Sequence, residues 1–353
     1  MRALIAMSGG VDSSVAAKLT QDMGYECIGC MMKLYEAPEG VELSGRTCCS
    51  LDDASDARSV AFSLGMPFYV FNFCDGFKEN VIDRFISEYL RGRTPNPCID
   101  CNSFMKFDKL LRRAKELDCE KIVTGHYARI EKVDGKYVLK KALDPSKDQS
   151  YVLYRLTQEQ LAMTIFPLGE MSKTETRAIA EKCGFVNSQK RDSQDICFVP
   201  KGDYASVVES LTGKPCPDGD FIDRGGNVIG RHKGIIRYTI GQHKGLGGNY
   251  ADRMYVLGVD PEHNTVTLGT EDGLFSRELT ADSFNWISGE PPKGKIRCLA
   301  KIRYRHKEQP AEAEALPDGR VRIVFDEPQR AITAGQSAVL YDGDTVLGGG
   351  TIE

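Results

Sequence analysis

The sequence of 353 residues lacks any apolar run that approaches the ~20 residues required for a membrane-spanning helix. Its first residues, MRALIAMSGGVDSS, contain an apolar stretch too short for a secretory signal, and no small-residue cleavage site follows. Internal repeats and low-complexity tracts are also absent. We therefore expect a cytoplasmic globular protein with no membrane partner, and the length predicts two or three domains.

Positive charge is not in excess, because 46 Lys and Arg residues are set against 50 Asp and Glu residues and the formal net charge is −4. This balance disfavours a general nucleic-acid binder, although it permits local basic surfaces. The 12 cysteines do not indicate a disulfide framework, which is typical of small secreted proteins. In a large cytosolic chain they are core residues, reactive thiols or metal ligands.

The first part of the chain alternates strand-like and helix-like segments. Strand patterns run over residues 2–7, 26–35, 67–73 and 121–124. Between the second and third of these, Asp52 and Asp53 mark a helix start and Gly65 its end. Strands separated by helices predict an α/β fold with a Rossmann-like, doubly wound parallel sheet, whose ligands bind beyond the carboxyl ends of the strands.

Beyond about Lys201, Gly and Pro become frequent and short alternating runs replace the helical spacing. These runs lie at 254–259, 265–268, 320–325 and 338–341. They predict a small β-rich central domain followed by a C-terminal β-barrel or sandwich. The resulting domain prediction is 1–200, 201–275 and 276–353.

A glycine-rich loop, Ser8 to Ser13 (SGGVDS), follows the first strand and opens the first helix. At such a position phosphate meets backbone N–H groups and the positive helix end, and glycine allows a close approach. Asp12 beside a polyanion implies an intervening cation, Mg²⁺. The loop is neither a Walker A sequence nor GxGxxG, which disfavours a GTPase or a dehydrogenase. The alternative is an ordinary strand–turn–helix corner rich in small residues.

Two cysteines lie in the segment PNPCIDCN, residues 95–102. Its prolines favour an extended approach, and Asn102 or Ser103 could cap a following helix. Cys101 would then lie at a helix N-terminus, which lowers a thiol pKa from ~8.5 toward neutrality and produces a nucleophile. Cys197, taken alone, is expected to be a structural core cysteine.

Seven Lys or Arg residues and no acidic residue lie between Pro291 and Lys307. All seven take odd positions, which predicts a strand with one cationic face. Such a face is usually a solvated barrel surface, but phosphate binding explains its single sign. Two further basic clusters lie around Arg231–Arg237 and on the helix after Cys101. Together they predict a folded RNA ligand and a steep salt dependence of binding.

Several motifs closely resemble the tRNA-specific 2-thiouridylase family, MnmA, along nearly the whole chain. They are SGGVDSSV (8–15), RTPNPCIDCN (93–102), TGHYAR (124–129), KDQSYVLY (147–154), FPLGE (166–170), ICF (196–198), YTIGQHKGLG (238–247) and GQSAVLY (335–341). Several motifs in the family's order are far more specific than any one of them. The loop alone resembles the PP-loop of ATP pyrophosphatases, so the resemblance implies a PP-loop ATPase domain followed by a central domain and a β-barrel.

The resemblance also implies a role for individual residues. Cys101 is the catalytic nucleophile and Cys197 carries a persulfide. ATP contacts Ala6, Met7, Ser8, Gly9, Gly10, Val11, Asp12 and Ser13, with Met32 and Gly125 near the adenine or ribose. Asn96, Pro97 and Cys98 face the target base. Contacts with tRNA are expected at His126, Lys147, Asp148, Gln149, Arg303, Tyr304 and Gln336. Taken alone, His126 would be a core or capping residue and Gln336 a loop residue.

The chain departs at Cys98 from well-studied members of the family, which carry there an aspartate often taken to aid proton transfer. Either Asp100 or water takes over that proton, or Cys98, Cys101 and Cys197 hold a [4Fe-4S] cluster with one open iron. We favour the persulfide route over the cluster.

The remaining cysteines in the first part of the chain do not indicate zinc. Cys27 and Cys30 lie too far from the Cys98–Cys101 pair for the usual spacing of ~12–20 residues between zinc pairs. They are expected in the core or beside the site, while Cys48 and Cys49 lie on a loop and could assist sulfur transfer.

The implied reaction replaces O2 of the wobble uridine, position 34 of the anticodon loop, by sulfur. ATP adenylates O2, while Mg²⁺ and the loop stabilise the departing pyrophosphate. Cys197, loaded by a cysteine desulfurase or sulfur-relay protein, supplies sulfur directly or as sulfide released by Cys101, which leaves a Cys101–Cys197 disulfide. The base must be unpaired or flipped. Alternatives are a small-molecule PP-loop synthetase and a tRNA-binding protein with an inactive ATPase core.

Overall fold

The computed structural model describes residues 1–35, 51–191, 196–199 and 203–353. Cys48 and Cys49, for which a role in sulfur transfer is predicted, lie outside these ranges. Over the described residues, every helix is too short or too polar to cross a membrane.

The strands of the first part of the chain are β1 (Arg2–Ala6), β2 (Glu26–Lys33), β3 (Phe68–Asn72), β4 (Lys121–Val123), β5 (Ala128–Val133), β6 (Lys136–Lys141) and β7 (Thr164–Ile165). Five of them form a parallel sheet in the order β3-β2-β1-β4-β7. The order reverses between β1 and β4, which is where doubly wound sheets bind ligands. The predicted α/β fold class is confirmed.

Helices connect these strands: α1 (Val11–Asp22), α2 (Leu51–Ser63), α3 (Cys74–Phe77), α4 (Asp83–Leu90), α5 (Pro97–Asp100), α6 (Leu110–Glu116), α7 (Gln158–Ala162) and α8 (Lys173–Lys182). π-Helical segments join α3 to α4 and α5 to α6, at Lys78–Ile82 and Cys101–Lys109. Capping boxes start α7 and α8, with Thr157 and Ser172 as the N-caps.

The sheet is covered on both faces, as its strand sequences require. Leu4 belongs to one hydrophobic cluster, whereas its neighbours Ala3 and Ile5 belong to the cluster on the opposite face. All three side chains are fully buried. This explains why the β1 segment RALIA is apolar without alternation.

A smaller unit follows the parallel sheet. It contains α9 (Tyr204–Thr212), β8 (Gly219–Ile222), β9 (Val228–His232), β10 (Tyr255–Asp260) and β11 (Thr265–Gly269). The strands form one mixed sheet in the order β10-β11-β8-β9. The β-rich central unit expected from the Gly- and Pro-rich texture is thus present.

The last strands close into a barrel. They are β12 (Phe275–Trp286), β13 (Lys295–Lys301), β14 (Gln309–Ala315), β15 (Val321–Arg330), β16 (Ser337–Asp342) and β17 (Thr345–Ile352). They pair in the order β12-β15-β14-β13-β16-β17, and a β12–β17 pairing completes the ring. This confirms the barrel and excludes the sandwich.

A hairpin from the first part of the chain joins this barrel. β5 and β6 are connected through Asp134 and Gly135, both with positive φ, which is the signature of a type I′ turn. β6 pairs with β17 through Lys140 and Thr345. The predicted strands do not include this hairpin, although its Asp-Gly turn is a recognisable signal.

Candidate active site

The glycine-rich loop turns the chain from β1 into α1 at the switch point of the parallel sheet. Gly9 has a φ of +73°, and a Cβ atom there would lie 2.4 Å from the carbonyl oxygen of Asp53. The hydroxyl of Ser13 closes the turn by donating to the Gly10 carbonyl at 3.0 Å and accepting from the Ser8 N–H at 3.2 Å. The N-cap of α1 is Gly10, which has no side chain to cap the helix, so this 12-residue helix presents its first N–H groups to an anion.

The carboxylate of Asp12 already has a cationic partner. Lys173, the first residue of α8, donates to both of its oxygens at 2.7 and 2.8 Å. The Tyr127 hydroxyl donates to it at 2.8 Å. An ammonium group thus supplies a neutralising charge for Asp12, and the expectation of Mg²⁺ beside this carboxylate stays a prediction. Lys173 and Tyr127 carry no local sequence signal for this role and were missed.

A second set of contacts holds the loop through Asn187 and Lys190. The Asn187 amide donates to the Gly9 carbonyl and to the Ser14 hydroxyl, both at 2.9 Å. The Lys190 ammonium lies 3.2 Å from the same carbonyl and 2.6 Å from carboxylates of Asp53 and Asp56. These contacts join the segment at residues 187–190, which precedes Cys197 in the sequence, to the glycine-rich loop. The sequence pattern does not predict them.

Gly125 lies against the loop at the carboxyl end of β4. A Cβ atom on it would come within 2.8 Å of the Asp12 carbonyl carbon and the Ser13 nitrogen. The residue is therefore adjacent to the loop. Met32, at the end of β2, is half-buried against the main hydrophobic cluster. Contacts of both residues with a nucleotide stay predictions.

The helix that carries the CxxC segment begins earlier than expected. Asn96 is its N-cap, with its side-chain oxygen accepting from the Cys98 N–H at 3.2 Å, and Pro97 is the first helical residue. The prediction of a start at Asn102 or Ser103 is wrong, because an Asn-Pro pair is a stronger start signal. Cys101 therefore lies one turn inside the helix, and Cys98 is the cysteine at its N-terminus.

Asp100 is engaged in ion pairs. It is buried, and one of its oxygens lies 2.5 Å from the guanidinium of Arg155. Arg84 approaches the other oxygen at 3.7 Å. Both oxygens of this carboxylate therefore face guanidinium groups. A role of Asp100 in place of the family aspartate stays a prediction.

Cys101 and Cys197 border the same hydrophobic cluster, although they are far apart in sequence. Both are half-buried and pack against it. Phe198, next to Cys197, makes edge-to-face contacts with Phe77 and Phe85, at centroid distances of 5.8 and 5.2 Å. The described part of the Cys197 segment and the CxxC helix therefore pack in the same hydrophobic cluster, through Phe198 and Ile99 respectively.

One open cleft of about 700 Å³ joins the loop to the barrel. The loop contributes Ser8, Gly10, Val11 and Asp12 to its lining. The segment after β6 contributes Lys147, Asp148 and Gln149, and the turn after β13 contributes Tyr304, Arg305 and Lys307. A nucleotide on the loop and an RNA backbone on the barrel side would share this cleft.

Comparison with known proteins places the whole chain. Family models match residues 1–201 (tRNA methyl transferase HUP domain), 207–270 (tRNA methyl transferase PRC-barrel domain) and 276–352 (aminomethyltransferase beta-barrel domain). The tRNA-specific 2-thiouridylase MnmA of Clostridioides difficile is 50% identical over 354 residues, which cover 100% of this chain and 98% of that protein. The MnmA of Geotalea uraniireducens is 51% identical over 358 residues, which cover 100% and 95%.

The chain belongs to the tRNA-specific 2-thiouridylase family. The words "methyl transferase" in the family models and "thiouridylase" in the relatives disagree about the group transferred. The relatives are about 50% identical in sequence over nearly their whole length, so the transferred group is assigned from the relatives. Membership of the 2-thiouridylase family favours a tRNA substrate over the small-molecule synthetase considered from the loop alone.

The tRNA contacts expected from the 2-thiouridylase resemblance fall into two groups. Lys147, Asp148, Gln149 and Tyr304 line the cleft. Arg303 and Gln336 instead make internal contacts: Arg303 donates to the Ala331 carbonyl at 2.7 Å, and Gln336 donates to the Thr94 carbonyl at 2.6 Å. The second contact ties the barrel to the segment that precedes the CxxC helix.

His126 is enclosed by the protein. Its Nδ1 atom lies 2.6 Å from the Thr124 hydroxyl, and its ring packs against Phe107 and Phe166. Burial, with the charge of Lys106, holds the pKa of His126 well below its usual value. This environment corresponds to the core role expected for the residue taken alone, and a contact of His126 with tRNA stays a prediction.

The predicted cationic strand is largely neutralised by its neighbours. β13 ends at Lys301, and Lys295 and Arg297 form ion pairs with Glu312 and Asp326 at 2.8 and 2.7 Å. The other basic clusters are paired too: Arg231 with Asp220, Arg237 with Glu209, Arg112 with Asp108, and Lys115 with Glu159. The expectation of a single-signed strand face is wrong for β13, because other strands of the barrel supply Glu312 and Asp326. In the other two clusters the acids come from helices, from β8 and, for Asp108, from the same helical stretch.

No three or more His, Cys, Asp or Glu side chains within the described ranges are grouped to hold a metal ion. The alternative cluster on Cys98, Cys101 and Cys197 gains no support from this geometry. Burial raises the pKa of Cys27 to about 11 and also raises that of Cys30. These two thiols are unreactive core residues, as one of the two sequence readings expects.

Proposed function

We propose that this protein is a cytoplasmic tRNA 2-thiouridine synthase. It adenylates O2 of the wobble uridine with ATP and replaces that oxygen by sulfur from a cysteine persulfide, with AMP and pyrophosphate as the other products. The observation that carries the proposal is the shared cleft, in which the loop at Ser8–Asp12 faces the exposed cations Arg305 and Lys307 of the barrel. A small-molecule enzyme would need only the first of these walls.

Adenylation uses the loop and the side chains that contact it. The uridine O2 attacks the α-phosphorus of ATP, and pyrophosphate leaves. N–H groups at the start of α1 stabilise the charge on the departing phosphates, because they point at it before the reaction begins. The ammonium groups of Lys173 and Lys190 form ion pairs with Asp12 and Asp53. These ion pairs offset the negative charge of the two carboxylates, so the carboxylates do not repel the polyanion. The transfer converts a poor leaving oxygen into AMP.

Sulfur transfer uses Cys101 and Cys197. A cysteine desulfurase or sulfur-relay protein loads Cys197 as a persulfide. The persulfide sulfur then reaches C2 of the activated base, either by direct attack or as sulfide released when the Cys101 thiolate attacks Cys197. In the direct route the terminal sulfur displaces AMP, and the Cys101 thiolate then attacks the Cys197 sulfur and releases the base as 2-thiouridine. In the other route the released sulfide displaces AMP. Both routes leave a Cys101–Cys197 disulfide. Asn96, Pro97 and Cys98, at the start of the CxxC helix, receive the extruded base.

Mg²⁺ fits this site as an ion carried by ATP. The carboxylates beside the loop are paired with lysines, so the described residues offer no ready protein cage for it. Mg²⁺ usually keeps several waters and binds through substrate phosphates, and there it would neutralise pyrophosphate. An iron–sulfur cluster is not part of the proposal.

The test combines purified protein, ATP, a persulfide donor and tRNA with an unmodified wobble uridine. We expect pyrophosphate release only when the tRNA is present, with one 2-thiouridine formed per pyrophosphate. A Cys101→Ser variant should lose 2-thiouridine, whereas Cys216→Ser, outside the site, should not. Pyrophosphate release that ignores tRNA and responds to a small acceptor would reject the proposal.

A further inference from the structure

We infer that Cys98 is a resolving thiol. After each sulfur transfer it attacks the Cys101–Cys197 disulfide, which releases Cys197 and leaves a Cys98–Cys101 disulfide that includes an exposed cysteine. The inference rests on the proposed function and adds a residue to it. It assigns a task to the cysteine that replaces the family aspartate.

The first support is the spacing of the two cysteines on one helix. Cys98 and Cys101 are three residues apart, and residues 97–116 form a continuous helical stretch. Residues three apart on a helix have Cβ atoms about 5–6 Å apart. Disulfides require Cβ atoms about 3.5–4.5 Å apart, so the two Cβ atoms must approach by about 1–2 Å in this turn for a Cys98–Cys101 bond to form.

The second support is the difference in exposure. Cys98 is exposed, whereas Cys101 and Cys197 are half-buried against the hydrophobic cluster. An external dithiol reaches an exposed sulfur far more easily than a disulfide set against Phe198 and the core. A disulfide that includes the exposed Cys98 is therefore the one that an external dithiol reduces most easily.

The third support is the electrostatic setting of Cys98. It is the second residue of the helix, and its own N–H is bonded to Asn96, so the first turn is well formed. A thiol at such an N-terminus ionises readily and attacks as the thiolate. Asp100 would oppose that charge, but Arg155 neutralises it at 2.5 Å.

The exchange balances without an outside oxidant. The Cys98 thiolate attacks the Cys101 sulfur of the Cys101–Cys197 disulfide. A Cys98–Cys101 disulfide forms, and Cys197 leaves as a thiolate that takes up a proton and is ready for reloading. An external dithiol then reduces the Cys98–Cys101 disulfide with two electrons and two protons, and the dithiol becomes a disulfide.

The sequence allows a direct test by mass spectrometry on the wild-type protein. One turnover is run without reductant and quenched in acid, and the remaining thiols are alkylated before digestion with trypsin. Cleavage after Arg93 and Lys106 puts Cys98 and Cys101 in one peptide, while Cys197 lies in another that follows Arg191. We expect 2-thiouridine, a disulfide internal to the first peptide, and an alkylated Cys197.

A Cys98→Ser variant supplies the second readout. Whatever the rate of its first turnover, we expect about one 2-thiouridine per enzyme and then a stall, with the Cys101 and Cys197 peptides cross-linked. Its steady-state rate with a protein dithiol should fall at least tenfold. Cys98→Asp, which carries the family residue, should stall in the same way, and Cys216→Ser should cycle normally.

The outcomes separate the two levels of the argument. Product with a persistent Cys101–Cys197 cross-link in the wild type overturns the resolving role and leaves the synthase function intact. Stoichiometric iron on the three cysteines also overturns it. Absence of any 2-thiouridine from the wild type rejects the proposed function itself, and the inference falls with it.

Discussion

Individual residues determine how closely the loop can pack. Gly9 lies against the backbone of Asp53, and its positive φ adds a second reason for glycine. Gly65, which follows α2, has nearly the same φ of +66°. Among the described residues other than its two chain neighbours, no atom lies within 4 Å of the point that a Cβ atom would occupy. The two glycines therefore separate backbone strain from steric contact.

Replacing Gly9 with Ala should abolish tRNA-dependent pyrophosphate release, because the new Cβ displaces either the loop or the start of α2. Gly65→Ala serves as the control and should cost about 1–2 kcal/mol of unfolding free energy from φ strain alone, with activity retained. Urea titration and pyrophosphate assays on both variants measure the difference. Equal activity in the two variants would show that close packing of the loop is unimportant.

Two histidines should shift the pH dependence of stability in opposite directions. His126 has a lowered pKa from burial and Lys106, so below about pH 6.5 the unfolded chain binds a proton that the folded chain does not. This lowers the free energy of unfolding as pH falls, by at most about 1.4 kcal/mol per pH unit. The hydrogen bond to Asp260 raises the pKa of His263. The folded chain therefore binds this proton more readily than the unfolded chain, and His263 increases the free energy of unfolding as pH falls over the same interval.

His126→Gln should therefore flatten the decline in urea midpoint between pH 7 and pH 5, and His263→Gln should steepen it. The slopes, rather than the absolute midpoints, are compared, because either substitution also changes local packing. An unchanged slope in His126→Gln would mean that the imidazole titrates normally in the folded protein.

At the scale of secondary-structure elements, one side chain sets where the CxxC helix begins. Asn96 and Asp203 both cap helices through a side-chain oxygen that accepts a backbone N–H, at 3.2 and 3.0 Å. Only the first of these helices carries the cysteines. The cap of α9 is thus a matched control for the cap of the CxxC helix.

Asn96→Ala and Asp203→Ala should each cost about 0.5–2 kcal/mol of unfolding free energy. Formation of 2-thiouridine should fall at least tenfold in Asn96→Ala alone, because the first turn also fixes the position of Cys98 and Cys101. Chemical denaturation and nucleoside mass spectrometry provide the two measurements. Full activity in Asn96→Ala would show that the start of the helix does not matter for catalysis.

The elements that the sequence predicts well are those whose environment is simple. Parallel strands such as β1 are buried on both faces and therefore appear as uninterrupted apolar runs, and α2 has a clear acidic start and a glycine end. The helix at Pro97 was misplaced because polar residues after Cys101 were preferred to Asn96 as a cap. Ion pairs such as Arg297–Asp326 join residues on different strands, and the order of residues along the chain does not predict them.

For the whole molecule, the cations that remain at the cleft define where RNA should bind. Arg305 and Lys307 are exposed at the cleft, whereas Arg297 is paired with Asp326. The motifs of the 2-thiouridylase family include Lys147–Gln149, which line the cleft, and their contacts with tRNA stay a prediction. They did not reveal that Arg303 and Gln336 bind the protein itself, which depends on how the barrel packs.

Lys307→Gln should weaken tRNA binding and reduce the salt dependence of the association constant by about 0.7 log unit per log unit of salt, if it contacts one single-stranded phosphate. Arg297→Gln, which removes the same charge from a paired site, should leave that slope unchanged. Filter binding over a range of salt concentrations measures both. Identical slopes for the two variants would place the RNA elsewhere.

The hairpin of β5 and β6 makes the order of synthesis matter. It emerges from the ribosome with the first part of the chain, but β17, whose Thr345 pairs with Lys140, is among the last segments to be translated. Until then the outer edge of β6 presents unpaired N–H and C=O groups, which are a template for pairing with other chains. A fragment that ends near residue 201 would keep this edge exposed permanently, so it should aggregate where the full-length chain does not.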